Sequence, residues 1–213
     1  MEINNPKNKF DAQGRPLTIQ GNTIIAFNYP DEEIYQLGLY VQEKMVKAGL
    51  DKKVSLLPPS SFHVTVLGVM DDKNRDSLSW PKDLPRDASI EEMNQYAKEA
   101  YKRVKLPGEI HMKVADITPK AIMLEVNDSL SKDNIFNYRT ALAENLNFGQ
   151  FDNQDVLFHM SIGYIIQELT EEEWSAFEEI KSQVAEKFLP IVFKLNKPEL
   201  TRFDSMMAFE VIE

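Results

Sequence analysis

Apolar residues recur along the chain with two periods, and their alternation divides it into strands and helices. Thr18, Ile19, Thr23, Ile24, Ile25 and Phe27 predict a strand over 17–28, with a bulge or turn at Gly21. Ile34, Leu37, Val41, Met45 and Ala48 fall three and four apart. That spacing predicts a helix over 31–49, with Asp31 as its N-cap and Gly49 as its stop. Pro58 and Pro59 break up 53–61, and Phe62 to Met70 reads as a strand. The charged, Pro-punctuated stretch 71–87 reads as a loop. Ser89 and Glu92 make a capping box for a helix over 89–104. Strands at 109–117 and 121–126 follow, joined at Thr118-Pro119-Lys120. An amphipathic helix over 131–148 carries Ile135, Tyr138, Leu142 and Leu146 on one face. A loop over 149–155 leads to a strand at 156–166. Thr170 and Glu173 cap a helix reaching Phe188, with Trp174, Phe177, Ile180 and Val184 as its apolar stripe. Short strands are expected near 191–195 and 205–212, and residues 1–16 read as a polar arm.

Two of these strands echo each other. Residues 61–69 read SFHVTVLGV and residues 157–165 read LFHMSIGYI. Phe62, His63, Val64, Thr65 and Val66 align with Phe158, His159, Met160, Ser161 and Ile162, 96 positions later. On a strand, residues i and i+2 point the same way. His63 and Thr65 therefore share one face, as do His159 and Ser161, while the apolar neighbours turn to the other. Gly163 leaves the next position on that face empty, which is expected to give a substrate room.

Paired imidazoles and hydroxyls suit phosphoryl chemistry. One histidine can take a proton from the attacking oxygen and the other can give one to the leaving oxygen, near neutral pH. Hydroxyls from Thr65 and Ser161 can donate to the non-bridging oxygens, where charge must be stabilised. A lone histidine in an apolar strand is more often a hydrogen-bonded core residue. Two in the same five-residue context ask for a reason, because buried polar groups are costly. The third histidine, His111, has Lys113 at i+2 and reads as structural. Arg139 reads as an exposed helix arginine, Tyr164 as core packing opposite His159, and Glu171, Glu172 and Glu173 as a solvated first turn.

Composition narrows the chemistry further. The 213 residues suit one domain, or two lobes sharing a core, and 43% are hydrophobic. With no cysteine and three histidines, there is neither a disulfide framework nor a ligand-rich metal motif, so no metal or cofactor is expected. Neither GxGxxG nor GxxxxGK[ST] occurs. A net charge of −10 argues against a duplex DNA platform but allows a pocket for a small nucleotide. The start, MEINNPKNKF, lacks an apolar h-region, and no apolar run reaches membrane-spanning length. A cytoplasmic protein without membrane contact is the expectation.

FHVTV at 62–66 and FHMSI at 158–162 resemble the paired His-x-Thr/Ser motifs of the 2H phosphoesterase superfamily. GNTIIAF at 21–27 and YRTALAENL at 138–146 resemble its DUF1868 branch, and the likeness extends from about residue 10 to 212. The resemblance implies one α+β, bilobal domain over 1–213. Two antiparallel β-sheets would surround a pseudo-twofold cleft, with helices outside and one motif from each lobe. It implies that His63 and His159 are catalytic and that Thr65 and Ser161 bind the phosphate. The implied substrate is a small nucleotide, a cyclic nucleotide or an RNA end, whose cyclic phosphate or phosphodiester is hydrolysed. Cleavage of a cyclic oligonucleotide signal, RNA end-joining, or nucleotide binding without catalysis are the alternatives.

Overall fold

The computed structural model describes residues 7–153 and 156–212. The first half of the chain holds β1 (Gly21–Phe27), α1 (Glu33–Lys47), β2 (Val54–Leu56), β3 (His63–Asp71) and α2 (Ile90–Lys102). Then come β4 (His111–Ile117), β5 (Ala121–Val126), α3 (Ser129–Asn145), β6 (Phe158–Ser161) and β7 (Gly163–Ile165). The last elements are α4 (Glu171–Phe188), β8 (Val192–Lys194), β9 (Glu199–Ser205) and β10 (Ala208–Val211).

Eight strands form one antiparallel sheet in the order β10-β9-β1-β3-β6-β5-β4-β8, and β2 pairs with β7 in a second, small sheet. The fold is α+β, as expected. The large sheet has two halves. β10, β9, β1 and β3 come from both ends of the described chain, and β6, β5, β4 and β8 come from its middle. The halves meet where β3 and β6 run antiparallel, with Val64 opposite Met160. Both of these side chains are fully buried, in a core cluster that includes residues of both halves.

The helix caps follow the sequence. Ser89–Glu92 and Thr170–Glu173 both close as capping boxes, each satisfying two backbone N–H groups. Asp128 caps α3 by accepting from the Ser131 N–H. The expected Asp31 cap of α1 is displaced by one residue. Glu32 is the N-cap, and its carboxylate accepts from the Tyr29 N–H at 2.8 Å. Gly49 takes the left-handed conformation that ends the helix, with φ 74°.

Four other expectations change. The strand over 156–166 breaks at Ile162, and its second part leaves the large sheet to pair with β2. The strand at 205–212 is the end of β9, a turn at Met206-Met207, and β10. Trp174 leaves the α4 stripe and is 43% exposed, while Phe177, Ile180 and Val184 are buried. In the expected arm, residues 7–16 form a docked turn rather than an irregular lead-in; residues 1–6 lie outside the described residues, as do 154 and 155 of the expected loop. Phe10 bridges Pro16, and the Asp11 carboxylate accepts from the Gln13 and Arg15 N–H groups.

β3 carries two bulges against β1. Ile24 and Ile25 pair with Leu67 and Thr65, and Asn22 and Thr23 pair with Met70 and Gly68. Val66 and Val69 are therefore the extra residues. Each bulge puts two consecutive apolar residues, Val66–Leu67 and Val69–Met70, into the interior, and Gly68 between them is exposed. A bulge leaves a backbone group without a ladder partner. Arg139 on α3 supplies it: its Nη1 donates to the Val66 carbonyl, and its Nε donates to Asn153 Oδ1 at 2.7 Å. The expected exposed arginine is thus 7% exposed, beside the rings of Phe151 and Phe158.

Behind the central strands, α1 approaches closely at Gly38. A Cβ there would lie 2.7 Å from Phe62 Cε2 and 2.8 Å from Met160 Cε. The Met tail can swing aside, but the Phe62 ring is fully buried. Gly38→Val is therefore expected to cost about 1–3 kcal/mol by overpacking. In thermal unfolding this reads as a fall in Tm of roughly 2–4 °C per kcal/mol. An unchanged Tm would show that α1 can move off the strands freely.

Candidate active site

The register at the sheet centre fixes the four motif residues. With Val64 opposite Met160, His63 falls opposite Ser161 and Thr65 opposite His159. Val64 and Met160 point into the core, so the intervening residues turn to the other face together. The result is a four-residue square with the histidines on one diagonal. Opposed Cβ atoms in such a pair are about 4.5–5.5 Å apart, and diagonal ones about 7–8 Å. The rings thus share one face with space between them, and His159 electrostatically opposes protonation of His63.

Each imidazole is oriented in the same way. His63 Nδ1 donates to the Ser61 carbonyl at 2.7 Å, and His159 Nδ1 donates to the Leu157 carbonyl at 2.9 Å. A carbonyl only accepts, so in the neutral ring the proton sits on Nδ1 and Nε2 keeps its lone pair. The repeated i−2 carbonyl contact is the backbone counterpart of the sequence echo. Among the described residues, the Thr65 hydroxyl makes no hydrogen bond.

The two halves differ in their surroundings. The His63 ring meets Phe209 of β10 edge-on, with centroids 4.4 Å apart, and Phe203 lies 5.7 Å beyond. Covered in this way, His63 is 8% exposed. Burial pushes its pKa down to about 4; the Ser61 carbonyl opposes the shift and His159 adds to it. His159 is half-buried. Burial lowers its pKa too, the Leu157 carbonyl opposes, and the ammonium groups of Lys9 and Lys120 lower it further. Among the described residues, no carboxylate acts on either ring.

Gly163 does not open space for a substrate. A Cβ there would lie 2.9 Å from Val54 Cγ1 and 3.1 Å from the Ser55 carbonyl oxygen, so β2 fills the place. The turn at Ile162 that creates this approach is held from both sides. The Ile162 and Gly163 N–H groups donate to the Lys120 carbonyl, and Gln42 Nε2 donates to the Leu57 and Ile162 carbonyls. Because the chain turns there, Tyr164 is not in the main core. It packs with Phe10 and Leu57 in a separate cluster.

The third histidine, His111, starts β4 and pairs with Lys194 near the far edge of the sheet. Lys9, Lys120 and Phe209 carried no motif signal in the sequence; long-range folding brings them to the histidines. Among the described residues, no group of three or more His, Cys, Asp or Glu side chains is placed to hold a metal ion. Among the described residues, no helix is long and apolar enough to cross a membrane.

Comparison with known proteins bears on the family and the fold. Residues 9–123 match the 2H-phosphodiest family, described as a domain of unknown function (DUF1868). The chain is similar over its whole length to the conserved protein of unknown function ATU0111 from Agrobacterium tumefaciens str. C58. The TM-score is 0.86 at 18% identity, over 93% of that chain. It also shares its fold with E. coli LigT in complex with 3'-AMP, with TM-score 0.51 and 8% identity, over 92% of this chain and 96% of LigT. The LigT complex with ATP aligns with TM-score 0.50 at 9% identity over the same shares. No curated protein matches the sequence. A family match over more than half the residues, together with a shared fold, places the chain plainly: it belongs to the 2H-phosphodiest (DUF1868) family.

Proposed function

We propose that the chain is a metal-independent 2H-type phosphoesterase, one domain over its length, hydrolysing a cyclic phosphate or phosphodiester of a small nucleotide. The observation that carries this reading is the square of His63, Thr65, His159 and Ser161, set by the Val64–Met160 register. LigT, which has the same fold, is held with 3'-AMP and with ATP, and that supports a nucleotide substrate. The Phe209 cover over His63 and the net charge of −10 favour a small nucleotide over a long RNA.

The proton roles follow from burial. His63, with its pKa near 4, is neutral at pH 7 and presents Nε2 as a general base. Water attacks the phosphorus while His63 takes its proton. His159 is the less strongly shifted ring, so a phosphate anion between the two draws the proton there. His159 then gives that proton to the leaving oxygen as the P–O bond breaks. Thr65 and Ser161 donate to the non-bridging oxygens. The proton on His63 returns to water or product, restoring the starting state.

The test is a panel of 2′,3′-cyclic nucleotides and cyclic dinucleotides followed by phosphorus NMR, with the wild type expected to open a cyclic phosphate. His63→Ala or His159→Ala should lower kcat on the order of 10²-fold or more, the usual contribution of a positioned acid or base. Thr65→Val should cost less, and His111→Ala should leave turnover largely intact. Equal activity in folded His63→Ala and His111→Ala would sink the assignment.

The pH profile carries a sign. As pH rises through about 4, His63 loses its proton and the rate climbs. As pH rises further through the lowered pKa of His159, the acid is lost and the rate falls. The optimum of kcat/KM is therefore expected on the acid side of neutrality, between about 4 and the ordinary histidine value near 6.5. An optimum above pH 8 would contradict these roles.

Activity should also survive exhaustive chelation. Loss in EDTA, restored by a divalent ion, would point to another class of enzyme.

A further inference from the structure

A segment that belongs to neither motif brings a lysine within electrostatic range of His159. Residues 7–16 fold into a turn that docks across β2 and β7. Phe10 packs on Tyr164 with ring centroids 4.7 Å apart, the Leu17 N–H donates to the Lys9 carbonyl, and Ser55 Oγ donates to the Gly14 carbonyl at 3.0 Å. This docking holds the Lys9 ammonium 5.6 Å from the centroid of the Tyr164 ring. Tyr164 follows Ser161 by three residues, in β7.

Lys9 is placed at a cost. It is half-buried, and among the described residues its ammonium makes no hydrogen bond and no ion pair within 4 Å. Among the described residues, Asp71 is the acidic group that acts on it, at longer range. It also lies close enough to His159 to disfavour protonation of that ring, as does Lys120. A partly desolvated cation beside an imidazole gains little in the empty cleft. It gains a great deal once an anion sits between the cation and the ring, because charge-assisted hydrogen bonds are about twice as strong as neutral ones.

We infer that Lys9, delivered by the N-terminal turn, is a phosphate-binding residue of the His159 half of the cleft. The inference rests on the reading of the cleft as a phosphoesterase site and adds to it. The aromatic wall of Phe203 and Phe209 stands on the His63 side and the cations on the His159 side, so the two halves of the pseudo-twofold site are chemically unequal. Substrate then has one orientation: its most anionic group toward Lys9, its apolar part toward Phe209. Anchoring the anion beside His159 also offsets the lysine charges that oppose His159 protonation.

The test uses the full chain and inorganic phosphate, followed through the His63 and His159 imidazole signals by NMR, with the cyclic-nucleotide assay in parallel. Lys9→Met keeps the apolar stem over Tyr164 and removes the charge; Lys9→Arg restores it. Phosphate affinity in Lys9→Met should fall about 10-fold or more, the worth of one charge-assisted hydrogen bond. Lys9→Arg should stay within a few-fold of wild type, a rescue that a merely structural role would not produce. Lys9→Gln serves as the neutral variant if Lys9→Met does not fold. Wild-type phosphate affinity in the folded neutral variant, with turnover intact, would overturn the role of Lys9 and leave the phosphoesterase reading standing. Absence of both phosphate binding and turnover in the wild type would overturn both.

Discussion

The antiparallel pairing of β3 with β6 is the constraint on which the site depends. Val64 and Met160 face each other and are buried, so each strand must present its histidine and hydroxyl to the opposite face. Strand side chains have a period of two, and a slip of one strand by one residue would send its imidazole into the core and its apolar neighbours into the cleft. The apolar partners at this seam guard against that slip. Phe62, Met160 and Gly38 interlock behind it at near-contact distance. Packing on the hidden face thus sets the geometry on the visible one.

Charge follows from the same arrangement. Each histidine donates its Nδ1–H to the carbonyl two residues before it, and among the described residues no carboxylate orients either ring. Burial without a countercharge keeps imidazoles neutral. The anion that would let one of them hold a proton has to arrive with the substrate. On the proposed reading, a resting site of two neutral bases becomes an acid–base pair only when occupied, which ties protonation to binding.

Much of this was legible in the sequence. The i, i+2 echo places the four site residues because strand alternation is local geometry, and the two capping boxes depend on residues three apart. What was not legible depends on contacts distant in sequence. Arg139 looked exposed because its partner is the Val66 carbonyl, freed by a bulge that no residue type announces. Gly163 looked like room for a ligand, but the chain turns at Ile162 and β2 takes the space. Tyr164 is buried as alternation implied, but in a second cluster with Phe10 and Leu57, since parity is lost at that turn. Phe209 and Lys9 lie 146 and 54 positions from His63 and share no motif with it. Their proximity exists only once the sheet is assembled.

The order of strands has a consequence for how the molecule comes into being. One half of the large sheet is built from consecutive stretches of the middle of the chain, whereas the other joins β1 and β3 to β9 and β10. During synthesis the middle half is available complete while its neighbour still lacks two strands, and domains fold as their parts emerge. Non-local pairing must wait for closure of a long loop. Phe209 follows both motifs along the chain, and it is the ring that covers His63. Until it docks, His63 stands in water as an ordinary imidazole. The nascent chain therefore carries both motifs long before it carries the environment that sets their chemistry.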